Sequence, residues 1–334
     1  MNDGRLQPTG LAAEVENPSF VCAHPSAGIL FAVSEISDFN GERSGSLSSW
    51  RIDARTGQLS GLSETSSGSP GPCHVALDRA ASVALVANYG GGSVATFRIE
   101  RDGKLGEMTG VHRQTGRSIN SYRQTGPHAH GVFVSPSNQY VVVPDLGADQ
   151  LYLYLLDAAN ATVQSAEPAS VPVAAGTGPR HFAFHPRGRF GYLIGELNST
   201  IVSFRCDAKC VSLAEVSTVS TIAPGFHGEN GAAEIAVDRT GRFLYCSNRG
   251  ADDIAVFAIG PGGELSSKQR IGCGGRTPRH FALDPTQCFM LVANQDSDEV
   301  AVFSRDWATG LLADTGRRME CTQPACLAFA PCIE

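Results

Sequence analysis

The chain has 334 residues, of which 42% are hydrophobic and 18% charged, with a formal net charge of −7. That balance excludes a charge-rich disordered chain and a basic nucleic-acid footprint, and no run of about 18 apolar residues marks a membrane-spanning helix. The ten cysteines are scattered, and Cys206 and Cys210 have no second pair at zinc spacing, so neither disulfide staples nor a metal site are expected. The opening MNDGRLQPTG has no basic and no long apolar region, so a leader is not expected and a cytosolic protein is.

Along the chain a short strand-like unit recurs, ending in Asp, His, Ser or Pro: SFVCAHP (19–25), CHVALD (73–78), HGVFVSP (130–136), HFAFHP (181–186), AEIAVD (233–238), HFALDP (280–285) and CLAFAP (326–331). Consecutive copies start 46 to 57 residues apart. Six are followed by a second apolar run, ending at Glu35, Asn88, Asp145, Glu196, Asn248 and Asn294. A third run with period-two alternation follows, as in GSVATFRI (92–99) and DEVAVFSR (298–305), and then a weaker fourth after turn residues. Four short strands per repeat of this length predict an all-β fold, a seven-bladed β-propeller with four antiparallel strands per blade. The expected blades lie near 17–65, 70–113, 126–172, 176–222, 230–271 and 275–318, in a single domain over 1–334. A seventh, incomplete blade would combine 323–334 with 1–14, using 5–14 as its outermost strand and 326–330 as its innermost.

Strands alternate in direction within a blade, so the start of strand one and the end of strand two emerge on the same face. His128, His130, Arg180, His181, Arg279 and His280 fall at starts of strand one. Glu35, Asn88, Asp145, Glu196, Asn248 and Arg249 fall at ends of strand two. Together they are predicted to ring one mouth of a central channel. Mixed charge with several imidazoles suits binding a small anion and moving protons on it. Arginine forks match phosphate or carboxylate, and imidazole can act as acid or base at cellular pH. For any single histidine the competing reading is a backbone hydrogen bond between blades. His128 and His130 in HAH have no acidic cluster of matching spacing to complete a metal site. His185, Arg187 and Arg189 fall at the far end of their blade and read as a solvated turn, QDSDE (295–299) as a loop, and GGG (90–92) as a turn rather than a phosphate cradle.

The words PHAHGVFVSP, VPDLGADQLYLYLLD, GTGPRHFAFHP, GYLIGELNSTIVSF, AEIAVDRTGRFLYCSNRGADDIAVF, TPRHFALDP and LVANQDSDEVAVF closely resemble the propeller-type lactonase family, from about Asn17 to Gly316. That family includes bacterial 6-phosphogluconolactonases and, more distantly, fungal carboxymuconate cyclases. The resemblance implies a cofactor-free reaction on a small anionic lactone, while the acidic net charge argues against a nucleic-acid or membrane partner. By motif, the His, Glu and two Arg proposed for the cyclases fall on His130 of HAHG, Arg180 of GPRH, Glu196 of GEL and Arg249 of SNRG. His128, His181, Arg279, His280, Asn248 and Glu35 are the expected substrate contacts. The resemblance implies hydrolysis of 6-phosphoglucono-1,5-lactone, with Glu196 or His130 activating water and Arg180 and Arg249 holding the phosphate and offsetting the oxyanion. A lactone-forming cyclase, a lactonase for another lactone, and a non-catalytic binding propeller stay open as alternatives.

Overall fold

The computed structural model describes residues 4–207 and 212–331 and divides them into two compact units. Cys210 lies outside the described residues.

The unit over Thr9–Ala175 holds three antiparallel meanders, each with its strands in sequence order. They are β1 (Pro18–Ala23), β2 (Ile29–Ser34), β3 (Ser46–Ile52) and β4 (Leu59–Ser66); β5 (Pro72–Leu77), β6 (Val83–Asn88), β7 (Ser93–Ile99) and β8 (Leu105–Arg113); and β9 (Phe133–Val134), β10 (Tyr140–Asp145), β11 (Gln150–Asp157) and β12 (Thr162–Pro172).

The unit over Gly176–Leu327 repeats the plan. Its sheets are β13 (Pro179–Phe184), β14 (Phe190–Gly195), β15 (Thr200–Cys206) and β16 (Leu213–Ser220); β17 (Gly231–Val237), β18 (Phe243–Arg249), β19 (Asp253–Ile259) and β20 (Leu265–Gly272); and β21 (Pro278–Leu283), β22 (Phe289–Asn294), β23 (Glu299–Arg305) and β24 (Leu312–Glu320). One 3₁₀ turn, Gln295–Ser297, takes up most of the acidic run between β22 and β23.

Second strands are almost wholly buried and third strands mostly so, β11 being the more open, whereas fourth strands are largely half-buried or exposed. Sheets stack through their apolar faces: Leu85, Val94 and Val141 pack together in the first unit, and Tyr245, Phe281, Met290 and Phe303 in the second. Among the first strands of the second unit, β17 touches both β13 and β21.

The polar residue that closes each first strand has a local job. The Asp78 carboxylate accepts from the N–H groups of Ser82 and Val83 at 2.7 and 2.9 Å, and Asp238 and Asp284 do the same for their turns. His24 and His185 accept turn N–H groups through Nδ1, and Ser135 through Oγ. Side-chain acceptors of this kind fix a tight turn between the first two strands. His185 also reaches the Gly241 carbonyl of the next sheet at 3.1 Å, so it joins sheets as well as capping a turn.

A second recurring device sits at the other end of the first strands. The register slips between Pro179 and His181, between Pro278 and His280, between Pro72 and His74, and between Ala232 and Ile235. Each slip is a β-bulge, which re-aims the side chain of the extra residue. Arg180, Arg279 and Cys73 are released from ladder pairing in this way, and in β17 Ala233 and Glu234 together.

Two expectations change. Among the described residues there are six four-stranded sheets, and neither 5–14 nor 326–331 is a strand. The Leu327 N–H donates to His280 Nδ1 at 3.3 Å rather than to a strand ladder, and Ala12 offers one carbonyl to Leu59 at 3.2 Å. The first strand expected over 130–136 shrinks to Phe133–Val134. Its start follows Pro127, and the His128 N–H is taken by the Asp145 carboxylate at 2.8 Å.

Candidate active site

The second unit gathers several charged side chains around the bulges of β13, β17 and β21 and the ends of the strands paired to them. Glu196 follows β14 directly, and its Oε2 accepts from Arg180 Nε at 3.2 Å and from Arg249 Nη2 at 2.9 Å. Arg180 is only 3% exposed, and its Nη1 also donates to the Ala233 carbonyl at 2.7 Å. Burial, reinforced by Arg249, pushes its pKa down to about 10, so it stays charged at neutral pH. Arg249 closes β18, keeps a 21% exposed side chain and donates through Nε to Gly231 O at 3.2 Å.

A second cluster adjoins the first. Glu234 Oε2 lies 3.1 Å from His181 Nδ1 and 3.2 Å from His280 Nε2. Burial is the main force on all three groups: it raises the carboxyl and lowers both imidazoles. Arg180 and Arg279 lower the two imidazoles further. Arg279 is half-buried on β21. The three guanidinium groups and two carboxylates leave one positive charge in excess, which suits an anionic ligand.

Of the four residues expected to carry the chemistry, Arg180, Glu196 and Arg249 therefore meet at one carboxylate oxygen. His130 belongs to the other unit, where its ring stands edge-on to Tyr89 at 5.4 Å. His128 stacks on the same Tyr89 at 4.4 Å and meets the Tyr89 carbonyl through Nδ1 at 2.9 Å. Arg123 Nη2 donates to the Tyr89 hydroxyl at 3.3 Å. Glu35, half-buried, also belongs to this unit.

Two expected roles change on geometry. Arg180 was expected to grip a phosphate, but its buried guanidinium is committed to Glu196 and Ala233; Arg249 and Arg279 are the more exposed cations. Asn248 was expected to contact substrate, yet it is 0% exposed. Its Nδ2 donates to Thr221 O and Asp253 Oδ1 at 2.9 and 2.7 Å, while Oδ1 accepts from Asn230. Asn88 and Asn294 bind carbonyls of Ser67 and Cys273 in the same manner, so these asparagines tie a preceding connection to the end of strand two.

Sequence reasoning missed Glu234, Tyr89 and Arg123. For Glu234 the signal was present: in AEIAV it occupies the place that His181 and His280 occupy in RHFAF and RHFAL.

The family model described as lactonase, 7-bladed β-propeller matches residues 1–329, and the chain belongs to that family. It is 33% identical over 320 residues to the 6-phosphogluconolactonase of Bacillus subtilis, covering 96% of this chain and 89% of that protein. A 6-phosphogluconolactonase of Formosa agariphila is 31% identical, with 90% and 86% covered. Among solved structures, the periplasmic gluconolactonase of Pseudomonas aeruginosa superposes with a TM-score of 0.88 at 34% identity, covering 97% of this chain and 91% of that one.

Proposed function

We propose that the protein hydrolyses a sugar lactone, with 6-phosphoglucono-1,5-lactone as substrate and 6-phosphogluconate as product, a step of the pentose phosphate route. The observation that carries the reading is Glu196 fixed by Arg180 and Arg249 in a chain of the lactonase family. Glu196 orients a water toward the lactone carbonyl carbon and takes up its proton as the new C–O bond forms. Arg249 faces the oxyanion that develops on the carbonyl oxygen, and Arg279 meets the phosphate. Collapse of the tetrahedral intermediate breaks the ring C–O bond, and the proton passes to the departing ring oxygen. Arg180 holds Glu196 in place rather than binding the phosphate. His130 is assigned as a second proton carrier on the strength of the HAHG motif. Seven blades in one domain and a cytosolic setting complete the proposal, the blade count resting on the family description.

The gluconolactonase relative supports a second reading, in which the phosphate is dispensable. Hydrolysis of freshly generated 6-phosphogluconolactone, corrected for its spontaneous rate and run beside gluconolactone, separates the two. Rapid turnover of the phosphorylated lactone alone establishes the first reading, equal turnover the second, and turnover of neither overturns both.

A further inference from the structure

We propose that Glu234 is a positioning residue of this site, locking His181 and His280 in opposite tautomers so that His181 holds Arg180 in register with Glu196. The role rests on the lactonase reading above, but the geometry beneath it can be tested alone.

The contacts begin at His280. Its Nδ1 accepts the Leu327 N–H at 3.3 Å, so a neutral ring carries its proton on Nε2 and donates it to Glu234 Oε2 at 3.2 Å. The same oxygen lies 3.1 Å from His181 Nδ1, which places the His181 proton on Nδ1 and a lone pair on Nε2. Arg180 Nη1 is 3.4 Å from both His181 ring nitrogens, which places it over the ring face, where a neutral imidazole supports the guanidinium and an imidazolium would repel it. Arg180 Nε then meets Glu196 Oε2 at 3.2 Å. A continuous series of contacts thus runs from the Leu327 amide to the Glu196 carboxylate, by hydrogen bonds on either side of the stacked His181–Arg180 pair.

Glu234 is itself held firmly. Its Oε1 accepts the Ile235 N–H at 3.0 Å, and the bulge that frees its own N–H from the ladder leaves that donor to Ser247 Oγ at 3.0 Å. A buried carboxylate at this point is costly, and an apolar side chain of similar volume would serve packing alone at least as well. Its net contribution is geometric and electrostatic: it fixes two tautomers and offsets one of three neighbouring arginine charges.

The test combines long-range ¹H–¹⁵N imidazole spectra with kinetics. In the unaltered protein at neutral pH, His181 should be protonated on Nδ1 and His280 on Nε2, each assigned by comparison with H181Q and H280Q. In E234Q, at least one ring should change tautomer. The kcat for the lactone should fall by about 10²-fold, the cost of misplacing a group by about an ångström, with KM within about twofold. Adding R180K to E234Q should cost no more than R180K alone, because both act through one guanidinium. Reversed tautomers in the unaltered protein, full kcat in E234Q, or multiplied losses in the double variant would each overturn the proposal. Should E234Q not fold, the spectrum of the unaltered protein decides. Should no lactone be turned over, the functional reading fails while the same spectrum still decides the geometry.

Discussion

Arg305 Nη2 donates to Asp238 Oδ2 at 2.8 Å, and both side chains are 0% exposed. Asp238 sits just past the end of β17, four residues on from Glu234 and about 13 Å away along an extended strand. The Arg305 guanidinium also meets the Tyr245 hydroxyl at 2.6 Å and the Gln287 carbonyl at 2.9 Å. This network ties three strands together away from the proposed chemistry.

Removing one member of a fully buried pair leaves the other charge uncompensated, at a cost of about 3–5 kcal/mol. R305M should therefore lower the urea midpoint by that equivalent while kcat on the lactone stays within about twofold at a temperature where the variant is folded. A large loss of kcat in folded R305M would show that the two ends of β17 are coupled.

Glu196 gives the converse pattern. E196Q keeps an oxygen acceptor for the two arginines but not the charge or the base. Turnover should drop by about 10²-fold or more, the usual weight of general base assistance, with a native circular dichroism spectrum. Full activity would remove Glu196 from the mechanism.

The two arginines on Glu196 should separate by burial. R180A leaves a buried carboxylate short of a partner and is expected to destabilise the fold by about 3–5 kcal/mol. R249A also takes a partner from that carboxylate but removes a partly exposed cation and leaves Arg180 in place, so it should destabilise less than R180A while lowering kcat/KM by at least tenfold. Thermal melts beside lactone kinetics read both, and equal melting shifts would contradict the assignment.

Asp145 sets a pH dependence in the first unit. Burial raises its carboxyl to about 6, against the partial relief of N–H donors from His128 and Ala148. Its Oδ2 has no hydrogen-bond partner. A carboxyl whose folded value lies above its unfolded one binds a proton more readily when folded. Stability therefore falls as pH rises from about 4 to about 6 and levels off above, by about 3 kcal/mol at most. Unfolding midpoints of D145N relative to the unaltered protein should rise across that window, and a flat difference would assign Asp145 an ordinary carboxyl.

The repeat itself was legible because continuous apolar second runs and alternating third runs recur at a similar spacing, with a polar cap at the first turn, as at Asp78, Asp238 and Asp284. Strand directions within a blade were enough to bring Arg180, Glu196 and Arg249 to one end of their sheets. What escaped was the difference between facing a ligand and facing the scaffold. Asn248 and Arg180 look alike in sequence as polar residues at strand ends, but one carbonyl of a preceding connection claims the first and a buried carboxylate the second. The bulges escaped too, since one extra residue in a ladder leaves no mark in an apolar pattern. Without them, Glu234 reads as a polar residue in a half-buried strand.

Every ladder in the six sheets joins strands that are also neighbours in the chain. The connection between β12 and β13 consequently crosses no ladder, and a protease cutting there would sever the polypeptide without breaking a single strand pairing. What joins one sheet to the next within a unit is therefore not strand pairing but buried apolar packing, with side-chain contacts such as His185 to the Gly241 carbonyl.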